Sequence, residues 1–198
     1  MSGPTKPTAF LPLEGLQQTR VLLLDPGSGD DALSGTLSTI SLDRVPSYEA
    51  LSYAWGQPEL KCKIRMHNNM YIYITESLRD ALRDLRHERF TQTRTLWADG
   101  VCINQEDMSE REQQVALMGA IYRSATRVIT YVGPKRDNSS AAVALAQQVW
   151  LSSKLSTTVM PAFDDEGWEA LKSLVVRPWV SLHCYSRQAD ESLLRTHN

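Results

Sequence analysis

Cysteines are few in this sequence, and their spacing does not suggest a shared structural role. The chain of 198 residues has three of them, Cys62, Cys102 and Cys184, an odd number without any C-x-x-C spacing. This pattern argues against a disulfide framework and against structural zinc, so no metal site is predicted. We expect reduced thiols in a cytosolic or nuclear compartment.

Long apolar runs and an excess of charge of one sign are also missing. No stretch approaches the roughly 18 apolar residues that a membrane span needs, and the chain start lacks the apolar core of a signal peptide. Lys and Arg number 21 against 23 Asp and Glu, which offers no broad positive field for a phosphate backbone. We therefore expect a soluble protein whose partners include neither a membrane nor nucleic acid.

The length predicts one domain, or one domain and a fragment. Hydrophobic residues make up 42% of the chain, which is enough for a core without disulfides. Residues 1–19 contain several Pro and Gly and little periodicity. They are predicted to form an N-terminal arm whose order depends on docking against the rest of the chain.

Short runs of apolar and β-branched residues predict strands at 21–25, 36–42, 48–55, 95–99 and 127–132. The clearest β signal is a hairpin centred on His67-Asn68-Asn69. On both sides of that turn every second residue is apolar: Cys62, Ile64, Met66, then Met70, Ile72, Ile74.

Helical spacing predicts four helices. Thr75 is placed to cap the first, over about 76–88, whose apolar face is Leu78, Ala81, Leu82 and Leu85. The S-x-x-E spacing of Ser109 and Glu112 predicts a capping box for a helix over 109–124. Its apolar stripe is Val115, Met118, Ile121 and Tyr122. Two further helices are expected at 139–152, with an apolar face of Val143, Ala146, Val149 and Trp150, and at 165–176.

The alternation of strands and helices from residue 48 to 132 is typical of a parallel sheet covered by helices, with the hairpin inserted before the first helix. Strands 48–54, 95–99 and 127–132 are predicted to be parallel neighbours. Ligands of such sheets bind beyond the carboxyl ends of the strands. The segments 53–56 and 99–105 are therefore predicted to meet in one cleft, lined by Trp55 and by Asn104 or Gln105.

Three runs in this order carry a resemblance to a known family. They are Tyr48-Glu49-Ala50-Leu51-Ser52-Tyr53-Ala54-Trp55-Gly56, Ile74-Thr75-Glu76-Ser77-Leu78 with Ala81-Leu82-Arg83, and Leu96-Trp97-Ala98-Asp99-Gly100-Val101-Cys102-Ile103-Asn104-Gln105. The pattern continues through Glu110-Arg111, Gln114-Val115, Met118, Ile121-Tyr122, Ala125 and Val132-Gly133. Across about residues 20–134 the chain resembles the heterokaryon-incompatibility (HET) domain of filamentous fungi.

The resemblance implies a cytoplasmic domain that acts in fungal non-self recognition, innate immunity and regulated cell death, through self-association or protein partners. The family is similar in fold to Toll/interleukin-1 receptor (TIR) domains. The resemblance therefore implies a TIR-like, flavodoxin-like α/β fold. In this fold helices surround a mostly parallel sheet, and an N-terminal β region and a hairpin are additional. The expected organisation is an arm at 1–19, a HET domain at 20–179 and a divergent tail at 180–198.

Some TIR domains cleave the nicotinamide–ribose bond of NAD, so the resemblance also implies NAD as a candidate substrate, with no certain cofactor. Such a site needs an aromatic wall, partners for ribose hydroxyls and a carboxylate. The candidate cofactor-binding residues are Tyr53, Trp55, Gly56, Asp99, Asn104 and Gln105. The alternatives are core packing for Trp55, loop fixing for Asp99 and loop-holding hydrogen bonds for Asn104 and Gln105.

Two other residues have a chemical and a structural interpretation. Cys102 is a nucleophile or a buried small thiol, and its apolar neighbours favour the thiol. Glu110 is a catalytic acid or a helix-capping partner, and its position favours the cap.

The resemblance departs from the family pattern near the C-terminus. Family members continue past Arg177-Pro178-Trp179 into a segment of the form R-x-W-x-x-Q-E, whose glutamate is the natural candidate for a TIR-like catalytic carboxylate. This chain instead reads Val180-Ser181-Leu182-His183-Cys184-Tyr185-Ser186-Arg187-Gln188. The HET domain is therefore expected to be incomplete at its C-terminal end, no catalytic residue is assigned, and Glu191 does not inherit the role.

Overall fold

The computed structural model describes residues 9–87, 92–154 and 166–180. Its internal contacts divide the chain into two units, Met1–Tyr131 and Val132–Asn198. The predicted tail at 180–198 lies outside the described residues except for Val180.

The first unit contains one seven-stranded sheet. Its strands are β1 (Gln18–Leu24), β2 (Ser34–Ser41), β3 (Glu49–Tyr53), β4 (Cys62–Met66), β5 (Tyr71–Ile74), β6 (Arg94–Trp97) and β7 (Arg127–Tyr131). Their order across the sheet is β5-β4-β2-β1-β6-β3-β7. The described residues of this unit form the helices α1 (Glu76–Leu85), the short α2 (Asp99–Cys102) and α3 (Met108–Ser124). Strand β1 begins inside the segment that was predicted to be an arm.

The three strands that were predicted to be parallel neighbours are confirmed. β3 pairs in parallel with β6 through Ala50 and Trp97, and in parallel with β7 from Glu49 to Tyr53. The predicted mostly parallel sheet is wrong, because β1 pairs antiparallel with β2 and β6, and β4 pairs antiparallel with β5. The N-terminal strands and the hairpin extend the same sheet. A short turn joins the two strands of the hairpin and favours their antiparallel pairing, whereas β1 and β6 are distant in sequence.

The hairpin and the first helix form where the sequence predicts them. Ile64, Met66, Ile72 and Ile74 are buried, and the turn places Asn69 at a positive φ of 61°, which Asn tolerates well. Helix α1 then begins after Thr75, whose side-chain oxygen accepts a hydrogen bond from the Leu78 N–H. This cap and the buried face of Leu78, Ala81 and Leu82 explain why the chain turns helical here.

The start of α3 differs from the prediction. Asp107 is the N-cap and accepts a hydrogen bond from the Glu110 N–H, so the helix begins at Met108 and the capping box of Ser109 and Glu112 is wrong. An aspartate two residues earlier supplies the same acceptor. The apolar stripe is also partly wrong, because Val115 is 55% exposed whereas the neighbouring Gln114 is fully buried and donates to the Gln18 carbonyl.

A buried ion pair joins α3 to the first strand. The Arg20 guanidinium donates to both oxygens of Glu110, at 2.7 and 2.9 Å, and its side chain is 1% exposed. It also donates to the carbonyls of Leu11 and Cys102. The predicted capping role of Glu110 is therefore replaced by a buried pairing, in which Glu110 also accepts the Asn104 N–H at 2.7 Å.

The second unit contains α4 (Ser139–Lys154) and α5 (Glu166–Val175), close to the two predicted helices. The predicted inner face of α4 is wrong, because Val143 and Trp150 are 45% and 60% exposed while Ala142 and Leu145 are buried. Arg177, which is 5% exposed, donates to the carbonyls of Val132, Pro134 and Arg136. This side chain holds the segment before α4 in place.

The Arg20–Glu110 pair gives a stability prediction. Glu110→Ala leaves the Arg20 charge buried without its carboxylate, and we expect a loss of about 3–5 kcal/mol in the free energy of unfolding. Glu112→Ala, at an exposed position of the same helix turn, is the control and should change stability by less than about 0.5 kcal/mol. Urea unfolding of both variants measures the difference. Equal losses in the two variants would contradict the buried pairing of Arg20 with Glu110.

Candidate functional site

The carboxyl ends of two neighbouring parallel strands form the floor of a cleft. β3 ends at Tyr53, and β6 ends at Trp97, directly before α2. Because β3 and β6 pair in parallel, the segments that follow them lie at the same edge of the sheet. The segment that begins at Asp99 starts with one helical turn, α2.

The cleft has a volume of about 470 Å³, which is in the range of small-ligand sites. Aromatic and aliphatic side chains dominate its walls. The lining residues are Ala9, Phe10, Tyr53, Trp55, Pro58, Leu60, Met70, Tyr71, Ile72, Tyr73, Ile74, Thr75, Leu78, Gly100, Ile103, Asn104, Gln105 and Glu106. This set contains one carboxylate and no lysine or arginine.

The prediction that Trp55 and Asn104 or Gln105 line one cleft is confirmed. Four of the six candidate cofactor-binding residues, Tyr53, Trp55, Asn104 and Gln105, belong to the lining, and Gly56 and Asp99 do not. Trp55 is 39% exposed, so it is not a core residue. A cofactor-binding role for the six residues stays a prediction.

The Asp99 carboxylate holds Trp55, an aromatic residue of the cleft lining, in place. One of its carboxylate oxygens accepts the Trp55 indole N–H at 2.8 Å, and the other accepts the Gly100 N–H at 2.8 Å. The Tyr53 hydroxyl is a third partner of the same carboxylate. Burial, and then the charge of Asp99, raises the pKa of Tyr53 well above its usual range. The geometry thus favours the loop-fixing interpretation of Asp99.

Asn104 and Gln105 also hold the loop that follows α2. The Gln105 side-chain amide donates to the Asp99 carbonyl at 2.9 Å, and the Asn104 side-chain oxygen accepts the Glu106 N–H at 3.3 Å. These bonds agree with the loop-holding alternative for both residues. Both residues also belong to the lining of the cleft.

Two glycines allow the close approach of these segments. Gly56 has a φ of +70°, a conformation that other residues adopt with strain, and it lets the chain turn after Trp55. At Gly100 a Cβ atom would lie 2.5 Å from the Tyr53 hydroxyl oxygen. The contact between β3 and α2 therefore depends on a glycine, which has no side chain, at position 100. The Ser77 hydroxyl, in the first turn of α1, anchors the turn by donating to the Ala54 carbonyl.

Some lining residues were missed by the sequence analysis. Ala9 and Phe10 come from the predicted arm, the stretch 70–75 comes from the hairpin, and Glu106 is the carboxylate of the lining. The alternation of Tyr71 and Tyr73 with buried Ile72 and Ile74 was a usable signal. No local pattern predicts that the hairpin edge faces the loop after Asp99, because that contact is long-range.

Cys102 is the buried small thiol that its neighbours predicted. Its side chain is fully buried in α2, and burial raises the pKa of the thiol to about 12. A thiol that stays protonated at neutral pH is a poor nucleophile. Within the described residues, no three His, Cys, Asp or Glu side chains lie close enough to hold a metal ion. In the same part of the chain no helix combines the length and apolarity needed to span a bilayer.

Fold and cleft together define an α/β domain with an aromatic binding cleft at the ends of two parallel strands. The family model described as "Heterokaryon incompatibility protein (HET)" matches residues 48–181, more than half of the chain. The chain therefore belongs to the heterokaryon incompatibility (HET) family.

The family assignment has support from a curated relative. Heterokaryon incompatibility protein 6, OR allele, of Neurospora crassa is 37% identical over 132 residues, which are 61% of this chain and 19% of the relative. The chain thus spans about a fifth of the length of that relative. No solved structure matches the chain at a significant level. The TIR-like part of the fold prediction is not shown by these comparisons.

The close approach at Gly100 can be tested by a double-mutant cycle. Gly100→Ala should cost about 1–3 kcal/mol of stability because its methyl group overlaps the Tyr53 hydroxyl. In a Tyr53→Phe background the nearest ring atom lies 3.8 Å away, an ordinary contact, so the same change should cost at least about 1 kcal/mol less. Urea unfolding of the four chains measures the coupling. Strictly additive losses would contradict the proposed contact.

Cys102 predicts a loss of stability at alkaline pH. The pKa of the Cys102 thiol is about 12 in the folded state, against an ordinary value of 9.0. The protonated thiol therefore makes its full contribution to stability below about pH 9. This contribution decreases as the pH rises from 9 toward 12, by about 2 kcal/mol at pH 10.5. Cys102→Ala should lower stability at pH 7 but flatten this decline. Unfolding midpoints at pH 7, 9 and 10.5 test it, and parallel declines in both chains would contradict it.

Proposed function

We propose that the chain acts in fungal non-self recognition and regulated cell death as a cytoplasmic HET domain that binds protein partners or itself. Family membership and the named Neurospora relative support this role. The observation that carries it further is the cleft, because its lining includes residues from all three family runs, at 48–56, 74–78 and 96–105.

The cleft suits binding better than catalysis. Five of its lining residues are aromatic, and the carboxylate nearest to Trp55, that of Asp99, is engaged by three hydrogen-bond donors. Aromatic side chains bury large areas at low conformational cost, which is typical of binding sites. With three of its roughly four acceptor sites occupied, this carboxylate has little capacity left to stabilise a developing positive charge.

The binding role can be tested in a fungal host that expresses the chain. Trp55→Ala removes an aromatic wall of the cleft and should abolish the incompatibility response, scored as cell death after hyphal fusion. The matched control is Trp150→Ala in α4, an exposed tryptophan outside the cleft, which should retain the response at equal protein level. If both variants retained the incompatibility response, the cleft would not be the binding site.

The second candidate function is a TIR-like NAD glycohydrolase. It is favoured by one observation, the aromatic wall of Trp55 and Tyr53 beside the amide side chains of Asn104 and Gln105. The three parallel strands β6-β3-β7 are the part of the sheet on which a TIR-like assignment would rest. The family's usual glutamate is not at its expected place in this sequence, which weakens the candidate.

We expect the purified chain to release no measurable nicotinamide from NAD. The loss of a positioned charge-stabilising group commonly lowers a rate by about 100 to 1,000 fold. Chromatographic detection of nicotinamide decides between the two candidates. Turnover would support the enzyme, and its loss with Asp99→Ala would show that the reaction needs Asp99, as the reacting carboxylate or as the support of Trp55. Turnover that survives this change would direct attention to Glu106 in the cleft lining, to the buried Glu110 or to Glu191.

A further inference from the structure

Strand β5 is the last strand at one end of the sheet, and it also forms one side of the cleft. Its only strand neighbour in the described sheet is β4. All six residues from Met70 to Thr75 line the cleft, opposite the loop residues Ile103 to Glu106. The cleft thus runs along an open strand edge. Such an edge carries backbone N–H and C=O groups without a neighbouring strand.

The register of the hairpin identifies which backbone groups point to this edge. The Met66 N–H donates to the Met70 carbonyl at 2.8 Å, and the pairing continues through Arg65 with Tyr71 and Lys63 with Tyr73. Along an antiparallel strand, every second residue directs its backbone N–H and C=O groups to the paired strand, and the residues between direct theirs to the other side. Met70 bonds to β4, so Tyr71 and Tyr73 are the residues between. Tyr71 and Tyr73 therefore direct their N–H and C=O groups away from β4, to the open edge of β5.

The two faces of β5 differ in chemistry. On the outer face Tyr71 and Tyr73 are 45% and 58% exposed, and the exposed Lys63 and Arg65 lie opposite them on β4. The Lys63 ammonium lies 4.5 Å from the centre of the Tyr71 ring, so it already reaches over β5. No carboxylate of the described chain pairs with Lys63 or Arg65.

The other face is apolar. Ile72 and Ile74 are 5% and 1% exposed, and both line the cleft together with Leu78 and Ile103. A strand placed beside β5 would continue this alternation, because neighbouring strands in a sheet keep their side chains in register on each face. Its side chains would point alternately to the basic, aromatic face and to the apolar cleft.

We propose that β5 binds an extended segment of a partner protein by strand addition, and that this segment alternates acidic and apolar side chains. The acidic side chains meet Lys63 and Arg65 on the outer face, and the apolar ones fill the cleft beside Ile72, Ile74 and Ile103. The inference rests on the proposed partner-binding function and names the kind of partner. A four-residue segment extends about 13 Å, which matches the four residues of β5.

The test uses synthetic peptides and the full 198-residue chain. The probe is a fluorescent six-residue peptide of alternating glutamate and valine, and the control has lysine in place of glutamate. Fluorescence anisotropy should show binding of the first peptide, weakening with added salt, and at least about tenfold weaker binding of the second. Amide hydrogen exchange should slow at Tyr71 and Tyr73 when the first peptide is bound.

Backbone pairing is separated from mere charge attraction by N-methylation of the probe. Methylation of alternate amides removes one set of donors, and strand addition requires only the set that faces β5. One methylated series should therefore lose binding while the other keeps it. Equal behaviour of both series would overturn the proposal, as would absence of binding by the unmodified probe at 1 mM, roughly the weak limit of measurable association.

Charge-reversal variants test the outer face. Lys63→Glu should weaken binding of the glutamate peptide by about tenfold, since an attraction becomes a repulsion, whereas Arg44→Glu, at an exposed position away from the cleft, should not. Equal effects would overturn the acidic-partner assignment. If the peptides fail to bind while Trp55→Ala still abolishes the fungal response, partner binding stands and strand addition is wrong.

Discussion

The Arg20–Glu110 ion pair is the interaction on which the cleft loop depends. Arg20 lies on β1, and its guanidinium bonds to Glu110 of α3, to the Leu11 carbonyl and to the Cys102 carbonyl at the end of α2. The same Glu110 carboxylate accepts the Asn104 N–H. One buried pair thus joins the N-terminal segment, the central sheet and the loop that carries Asn104. Because both charges are largely removed from water, neither can lose its partner without a large desolvation cost.

The parts of the fold that local physics controls could be predicted from the sequence. The hairpin follows from alternating apolar residues about the turn at His67, and α1 follows from the Thr75 cap and its apolar face. The mixed character of the sheet could not be predicted, because β1 joins β6 across more than 60 residues of chain. The cap of α3 was misassigned because Asp107 and Ser109 are both good capping residues, and only the backbone direction distinguishes them.

The candidate site was predicted in outline for a related reason. Tyr53, Trp55, Asn104 and Gln105 follow parallel strands, and the general geometry of such sheets brings strand ends together. The remaining wall comes from Phe10 and from the residues of β5, whose approach to the loop is a long-range event. A sequence pattern gives the face on which Tyr71 and Tyr73 lie, but not what lies across from that face.

The two interpretations of the cleft make different demands on Asp99. A catalytic carboxylate must keep acceptor capacity for the charge that develops on the substrate, whereas a structural one holds its neighbours best when most of its roughly four acceptor sites are engaged. Here the indole of Trp55, the N–H of Gly100 and the hydroxyl of Tyr53 converge on it. The arrangement orients an aromatic wall at the mouth of a cleft whose opposite side is an open strand edge. Rigid aromatic side chains beside unpaired backbone groups favour recognition of an extended chain, in which the backbone supplies affinity and the alternating side chains supply specificity.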